Sequence, residues 1–245
     1  MNKIFKHDNI KLWILLALTL LIAIISYSHL PEQIPIHFDV AGNVDNYSGR
    51  IYIFLEPFVI LAMIILAEVA RNVDPKKNAY GKFNKQYYLT FFLVSLLMLA
   101  IQLYTIAVSL NIKVLNISII MPFAMGLLFT MIGNSMPKFK QNYYAGIRTS
   151  WTLSDEEVWY KTHRLGGKVW FAGGLLMMIS AILPDYLKTK VFFAVIIIMV
   201  LVPIIYSYVV YKNKVAENFG ITYFYNLSVI YEKHEIDLNS YCMIL

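Results

Sequence analysis

Residues 142–174, "NYYAGIRTSWTLSDEEVWYKTHRLGGKVWFAGG", carry Arg148, the carboxylates Asp155, Glu156 and Glu157, then His163, Arg164 and four glycines. His163 with Glu156 or Glu157 would make an acid–base pair, and Ser150 or Ser154 would supply a hydroxyl. Hydrolytic chemistry needs a nucleophile, a base and an oxyanion site in one place. No Gly-x-Ser-x-Gly or His-Glu-x-x-His pattern accompanies these residues, and Ser154 reads better as a helix cap. The sequence therefore assigns no catalytic residue and no cofactor, and no enzymatic activity is expected. A second group, His37, Asp39 and Asp45, falls within nine residues of "LPEQIPIHFDVAGNVDNYSGR". Imidazole with two carboxylates suits zinc or a similar divalent ion, and Glu56 lies on the same side and would join it. Hydrogen bonds within a compact loop explain the same side chains more simply, so these residues stand as weak metal candidates. Glu56 asks for more, because an acid within an apolar span is costly and by default marks a partner or a function.

The elements that must hold these groups are membrane helices. The chain has 245 residues, 59% hydrophobic and 15% charged, against about a quarter charged in soluble domains. Its apolar residues form runs at 12–28 (extending to Leu30), 51–70, 86–112, 114–137, 169–184 and 191–211. A bilayer core takes about 20 apolar residues per helix. The run at 169–184 is short, but Lys168 can extend it by snorkelling. The expectation is an all-α polytopic membrane protein with six transmembrane helices. If both ends share a side, 17 of the 21 Lys and Arg fall on that side. The positive-inside rule then places both termini in the cytoplasm of a multi-pass protein of the bacterial cell membrane. The same bias explains the net charge of +6, and no direct nucleic-acid partner is implied. Lys3, Lys6 and Lys11 precede the first run, which is too long for a signal-peptide core and is read as retained. Cys242 is the single cysteine, which rules out an intramolecular disulfide. Its "CMIL" setting is read as a coincidental prenylation match.

Three regions follow: a two-helix unit at 1–70 with an outer loop at 31–50, a four-helix region at 86–211 with a cytoplasmic loop at 138–168, and a tail at 212–245. In the cytoplasmic loop, Lys138 and Lys140 suit anionic lipid headgroups. Ser154 and Glu157 read as a capping box starting a helix at Asp155. That helix is expected to lie on the inner leaflet as an interfacial helix, in the loop between helices 4 and 5, and to break or kink at Gly166 and Gly167. Glu157 and Lys161, like Tyr160 and Arg164, are spaced to pair along it. Its aromatics and cations suit a docking surface for a cytoplasmic partner, built from Arg148, Trp151, Glu156, Glu157, Trp159, His163 and Arg164. On the outer side, His37, Asp39, Asp45 and Glu56 are the ligand-facing candidates.

The stretch "IGNSMPKFKQNYYAGIRTSWTLSDEEVWYKTHRLGGKVWFAGG" closely resembles the signature of the SdpI family of immunity proteins. The likeness lies in Gly133 and Asn134, Met136 and Pro137, Asn142 and Tyr143, Gly146 through Thr149, Trp151 through Leu153, Glu156 through Trp159, Thr162 through Arg164, and Gly167. The outer loop "LPEQIPIHFDVAGNVDNY" also resembles the small domain of unknown function that commonly precedes this signature. The likeness covers residues 12 to about 211. It implies protection against a secreted, membrane-disrupting toxin peptide, and a possible soluble repressor protein held on the cytoplasmic side. The tail departs from the family pattern, and its "ITYFYNLSVIY" reads as a strand or a segment lying on the membrane. Two other readings remain open from the residues. One is a small-molecule or peptide transporter with Glu56, Gln102 and Asn134 lining a path broken at Pro57, Pro122 and Pro203. The other is a metal-dependent membrane enzyme using His37, Asp39, Asp45 and Glu56.

Overall fold

The computed structural model describes residues 9–233, with side chains through residue 217. Lys3, Lys6, Cys242 and the end of the tail lie outside the described residues. Seven helices and one hairpin follow in chain order: α1 (Ile10–Tyr27), β1 (Gln33–Phe38), β2 (Val44–Gly49), α2 (Leu55–Val73), α3 (Asn84–Ser109), α4 (Ile117–Ser135), α5 (Ser150–Ser154), α6 (Glu156–Ser180) and α7 (Asp185–Lys233). α1, α4, the segment Arg50–Val73, α3 and the segment Asp185–Glu217 are each long and apolar enough to cross a membrane. The run at 169–184 is accounted for differently. It is the apolar second half of α6, whose first half bears Glu156, Glu157, Lys161, His163, Arg164 and Lys168.

Two packing units build the bundle. α1, α2 and α3 enclose Leu12, Ile60, Ile64, Ala67 and Tyr87, and Trp159 of α6 joins this cluster from the signature segment. Gln102 is fully buried among the same helices, and its amide donates to the Thr19 carbonyl at 3.1 Å and the Ile53 carbonyl at 3.3 Å. The donor side of its amide is satisfied by backbone carbonyls, while its Oε1 is buried without a hydrogen-bond partner. Gln102 thus acts as a staple between helices, and Asn134 lies exposed on α4. Glu68, the second acid of the second apolar run, is likewise satisfied: Asn9 and Tyr88 both donate to it at 2.7 Å. The other unit is α4, α6 and α7, with Met177, Val195 and Met199 at its centre.

Three local expectations are corrected. Ser154 does not cap α6; its hydroxyl turns back to the Trp151 carbonyl at 3.0 Å and ends α5. Asp155 is the cap, accepting from the N–H of Glu157 at 2.8 Å and of Val158 at 3.0 Å, since a carboxylate complements the helix dipole better than a hydroxyl. The capping box sits one turn earlier, between Thr149 and Thr152. Gly166 and Gly167 do not interrupt the helix, which runs unbroken to Ser180; both are buried, and a Cβ on Gly167 would lie 2.7 Å from the Gly133 carbonyl oxygen. The expected interfacial helix is therefore continuous with the fifth apolar run. Residues 221–231 are helical, as the last part of α7, and form no strand.

Candidate functional site

At one end of the bundle the loop predicted at 31–50 is a β-hairpin, an element the sequence reading missed. β1 and β2 pair antiparallel from Gln33 with Gly49 to Phe38 with Val44, with the register irregular on either side of His37. Ile34, Ile36 and Phe38 alternate with other residues in sequence, but burial does not follow: Ile34 packs against Ala23, Leu30 and Ile53, Pro35 is buried too, and Ile36 is exposed. Pro35 within the run concealed the pattern, and a two-stranded ribbon accepts it because both strands are edges. The tip is fastened to α4. Asn116, the cap of α4, accepts from the Ser118 N–H at 2.8 Å and donates to the Ala41 carbonyl at 2.9 Å. The Phe38 ring meets Tyr104 of α3 edge-on, with centroids 5.4 Å apart.

Within the hairpin, His37 Nδ1 lies 2.6 Å from the Asp45 carboxylate. Asp39 accepts from the backbone N–H of Asn43 at 2.8 Å and from its amide at 3.0 Å. These bonds with Asn43 hold the Asp39 carboxyl below the ordinary carboxylate range. The three candidates are thus divided between two turn-stabilising contacts, and among the described residues no three His, Cys, Asp or Glu side chains gather as a metal site. His37, Asp39 and Glu56 do share one surface. They line a cavity of about 410 Å³ under the hairpin, walled by Ile34, Phe38, Leu55, Ile101, Met121 and Phe192. Glu56 Oε2 is buried there without a hydrogen-bond partner. Asp45 touches the cavity only through His37. Lys188, buried at its edge, was not anticipated as part of this site; its ammonium donates to Asp185 at 3.0 Å and to Ser118 at 3.3 Å.

The signature segment occupies the opposite end, and most of it is architecture. Trp159 and His163 are 1% and 0% exposed, so neither reaches a partner directly, contrary to their place in the expected docking surface. They stack with ring centroids 4.0 Å apart. The indole N–H donates to the Phe139 carbonyl at 2.9 Å, and His163 Nδ1 sits 2.9 Å from the Trp159 carbonyl. His163 Nε2 accepts from the Ile147 N–H at 3.0 Å. That pattern requires the neutral ring with its proton on Nδ1. Gly146 allows the close approach: its φ is +116°, and a Cβ there would lie 2.4 Å from His163 Nε2.

Around this pair, a buried polar net ties the turn after α2 to the segment before α5. Asp74 accepts from the Tyr80 hydroxyl at 2.8 Å, the Lys76 N–H at 2.7 Å and the Tyr143 N–H at 2.9 Å. Asn142, fully buried, accepts from the N–H groups of Tyr144 and Ala145 and donates to the carbonyls of Lys140 and Ala145. Gln141 bonds the Lys76 ammonium and donates to the carbonyls of Thr152 and Leu153. Burial, reinforced by Asp74, pushes the Tyr80 phenol upward, so the hydroxyl stays a donor. α7 is joined to the block by Lys214, which meets Asp155 and Glu157 at 2.8 Å each, and Glu157 also pairs with Lys161 at 2.8 Å. Burial opposes ionisation of Asp155, but Lys214 and the N–H groups of α6 outweigh it and hold the carboxyl low. Trp151 packs on Tyr208 of α7 at 5.2 Å. Arg148, Glu156, Glu157 and Arg164 remain exposed.

Burial pushes the His163 imidazole down to about 4. A native value below the ordinary one of about 6.5 means that the neutral ring's contribution is complete above that pH and is lost as pH falls towards 4. Purified protein should lose about 3 kcal/mol of stability over that window from this group. A His163→Gln variant should start less stable and show a flatter thermal-unfolding profile between those pH values.

Together these features define a class: a helical membrane protein with a ligand-sized cavity under a hairpin at one end and a hydrogen-bonded brace at the other. Residues 138–207 match the model described as the SdpI/YfhL protein family, and residues 14–61 match a domain of unknown function, DUF1648. The signature region is thus similar to the SdpI/YfhL family, as the resemblance implied. Over 205 residues the chain is 29% identical to Immunity protein SdpI of Bacillus subtilis (strain 168), an alignment covering 84% of this chain and 96% of that relative. No solved structure matches the chain.

Proposed function

We propose that this protein is a membrane immunity protein that protects its cell by binding a secreted membrane-active toxin peptide at the hairpin end, without breaking or forming bonds. The similarity to an immunity protein over most of both chains supports the activity. The observation that carries the binding mode is the cavity under the hairpin, whose apolar walls and few polar groups are the usual make-up of a ligand site. The distribution of Lys and Arg turns that end outward and puts both termini in the cytoplasm, so the cavity faces an arriving peptide. On the inner face, Arg148, Glu156, Glu157 and Arg164, with Trp151 at their edge, form the rim a soluble repressor would meet. Trp159 and His163 act beneath it as its support.

The test is survival. A sensitive strain expressing the chain is challenged with secreted peptides encoded beside its gene. The reading predicts growth at peptide doses that kill the parent strain. No gain against any membrane-active peptide would overturn it.

A further inference from the structure

We propose that the cavity under the hairpin accepts an apolar peptide segment carrying one cationic side chain, and that Glu56 is the anchor for that cation. The inference rests on the toxin-binding reading for its biological sense, but its chemistry comes from the cavity alone.

Four acidic, basic or imidazole side chains line the cavity, and three are already occupied. Asp39 accepts from Asn43. His37 is held by Asp45. Lys188 gives its ammonium to Asp185 and Ser118. Glu56 is the exception: its Oε2 is buried and has no hydrogen-bond partner. A buried acceptor without a partner is a standing cost that a ligand donor relieves. Glu56 also sits in the first turn of α2, with Pro57 following it, so the helix fixes where its side chain leaves the backbone.

The identity of the ligand follows from what each class would leave behind. A purely apolar occupant, such as a lipid chain, would fill the walls and keep the Glu56 oxygen orphaned. An anionic group would meet Glu56, and the Lys188 ammonium that could offset it is already held by Asp185 and Ser118. An ammonium or guanidinium supplies the missing donors and a complementary charge, the stronger kind of hydrogen bond. The apolar remainder of the 410 Å³ cavity then takes the neighbouring side chains.

The probe is a pair of dye-labelled, end-capped synthetic peptides, Leu-Leu-Lys-Leu-Leu and its counterpart with norleucine in place of lysine. Each is titrated by anisotropy against the full chain in nanodiscs, with empty nanodiscs subtracted. The wild-type protein should prefer the lysine peptide by about tenfold, the scale of one charge-assisted hydrogen bond. Glu56→Gln should erase that preference, and Met121→Trp, which puts a larger side chain on the cavity wall, should weaken both peptides. Equal binding of the two peptides to wild type overturns the proposal even if Glu56→Gln fails to fold, as does a preference that survives in Glu56→Gln. Survival of challenged cells without a lysine preference would remove this inference and leave the immunity reading. A lysine preference without protection would do the reverse.

Discussion

Trp159→Ala should remove the protein from the membrane fraction. The indole is 1% exposed, stacks on His163 and bonds the Phe139 carbonyl. Cutting it to a methyl leaves a cavity at the junction of α6 with the α1–α3 unit and orphans a buried carbonyl. Large aromatic truncations of this kind cost about 3–5 kcal/mol. Trp159→Phe keeps much of the volume and loses chiefly the hydrogen bond, at about 1–2 kcal/mol. Arg148→Ala is the contrast: its guanidinium is exposed and its bond to the Tyr143 carbonyl is at the surface, so protein levels should hold. Fluorescence-detected size-exclusion profiles of the three variants check the order. The two signature residues therefore part ways: Trp159 folds the block, and Arg148 is available to a partner.

Gly133→Val should be comparably damaging for a different reason. α4 and α6 approach so closely that a Cβ on Gly133 would lie 2.5 Å from the Phe171 amide nitrogen and 2.8 Å from the Gly167 carbonyl. Backbone cannot yield as a flexible side chain does, so the two helices must separate along their length. Small residues at such crossings are what membrane helices use to pack, and overfilling a tight contact costs about 1–3 kcal/mol or more. Gly81→Val, where the added Cβ meets nothing within 4 Å, is the control. Thermal aggregation midpoints in detergent should fall sharply for the first and far less for the second.

How far the sequence spoke depended on the kind of signal. The apolar runs and the clustering of Lys and Arg are averages over many residues, and helices duly stand on every run. The glycines along α6 serve close packing instead of a break, and α4 and α7 of the same chain supply the contacts: Gly167 meets Gly133, and Gly173 meets Met199. Local choices between neighbours were harder. Ser154 and Asp155 are both good caps, and only the turn of α5 decides between them. His163 looked reactive because its type is reactive; that both its nitrogens would be bonded to backbone depends on a fold in which Gly146 passes over the ring. The hairpin was hidden by Pro35 and by a short, weakly apolar alternation. Glu56 was legible from the start, since an acid between Leu55 and Pro57 has no place in an apolar run unless something uses it. Its partners in the cavity, Met121, Lys188 and Phe192, come from helices distant in sequence and had no local signature.

The account requires the hairpin cavity and the signature block to face opposite sides of the membrane. Single cysteines introduced by Tyr47→Cys on β2 and Tyr144→Cys beside Asn142, in a Cys242→Ser background, test this with a membrane-impermeant maleimide. Both positions are exposed, at 55% and 45%. Intact cells should label the Tyr47 position alone, and the Tyr144 position should react only after permeabilisation. Labelling of the Tyr144 position in intact cells, with Tyr47 protected, would contradict the account.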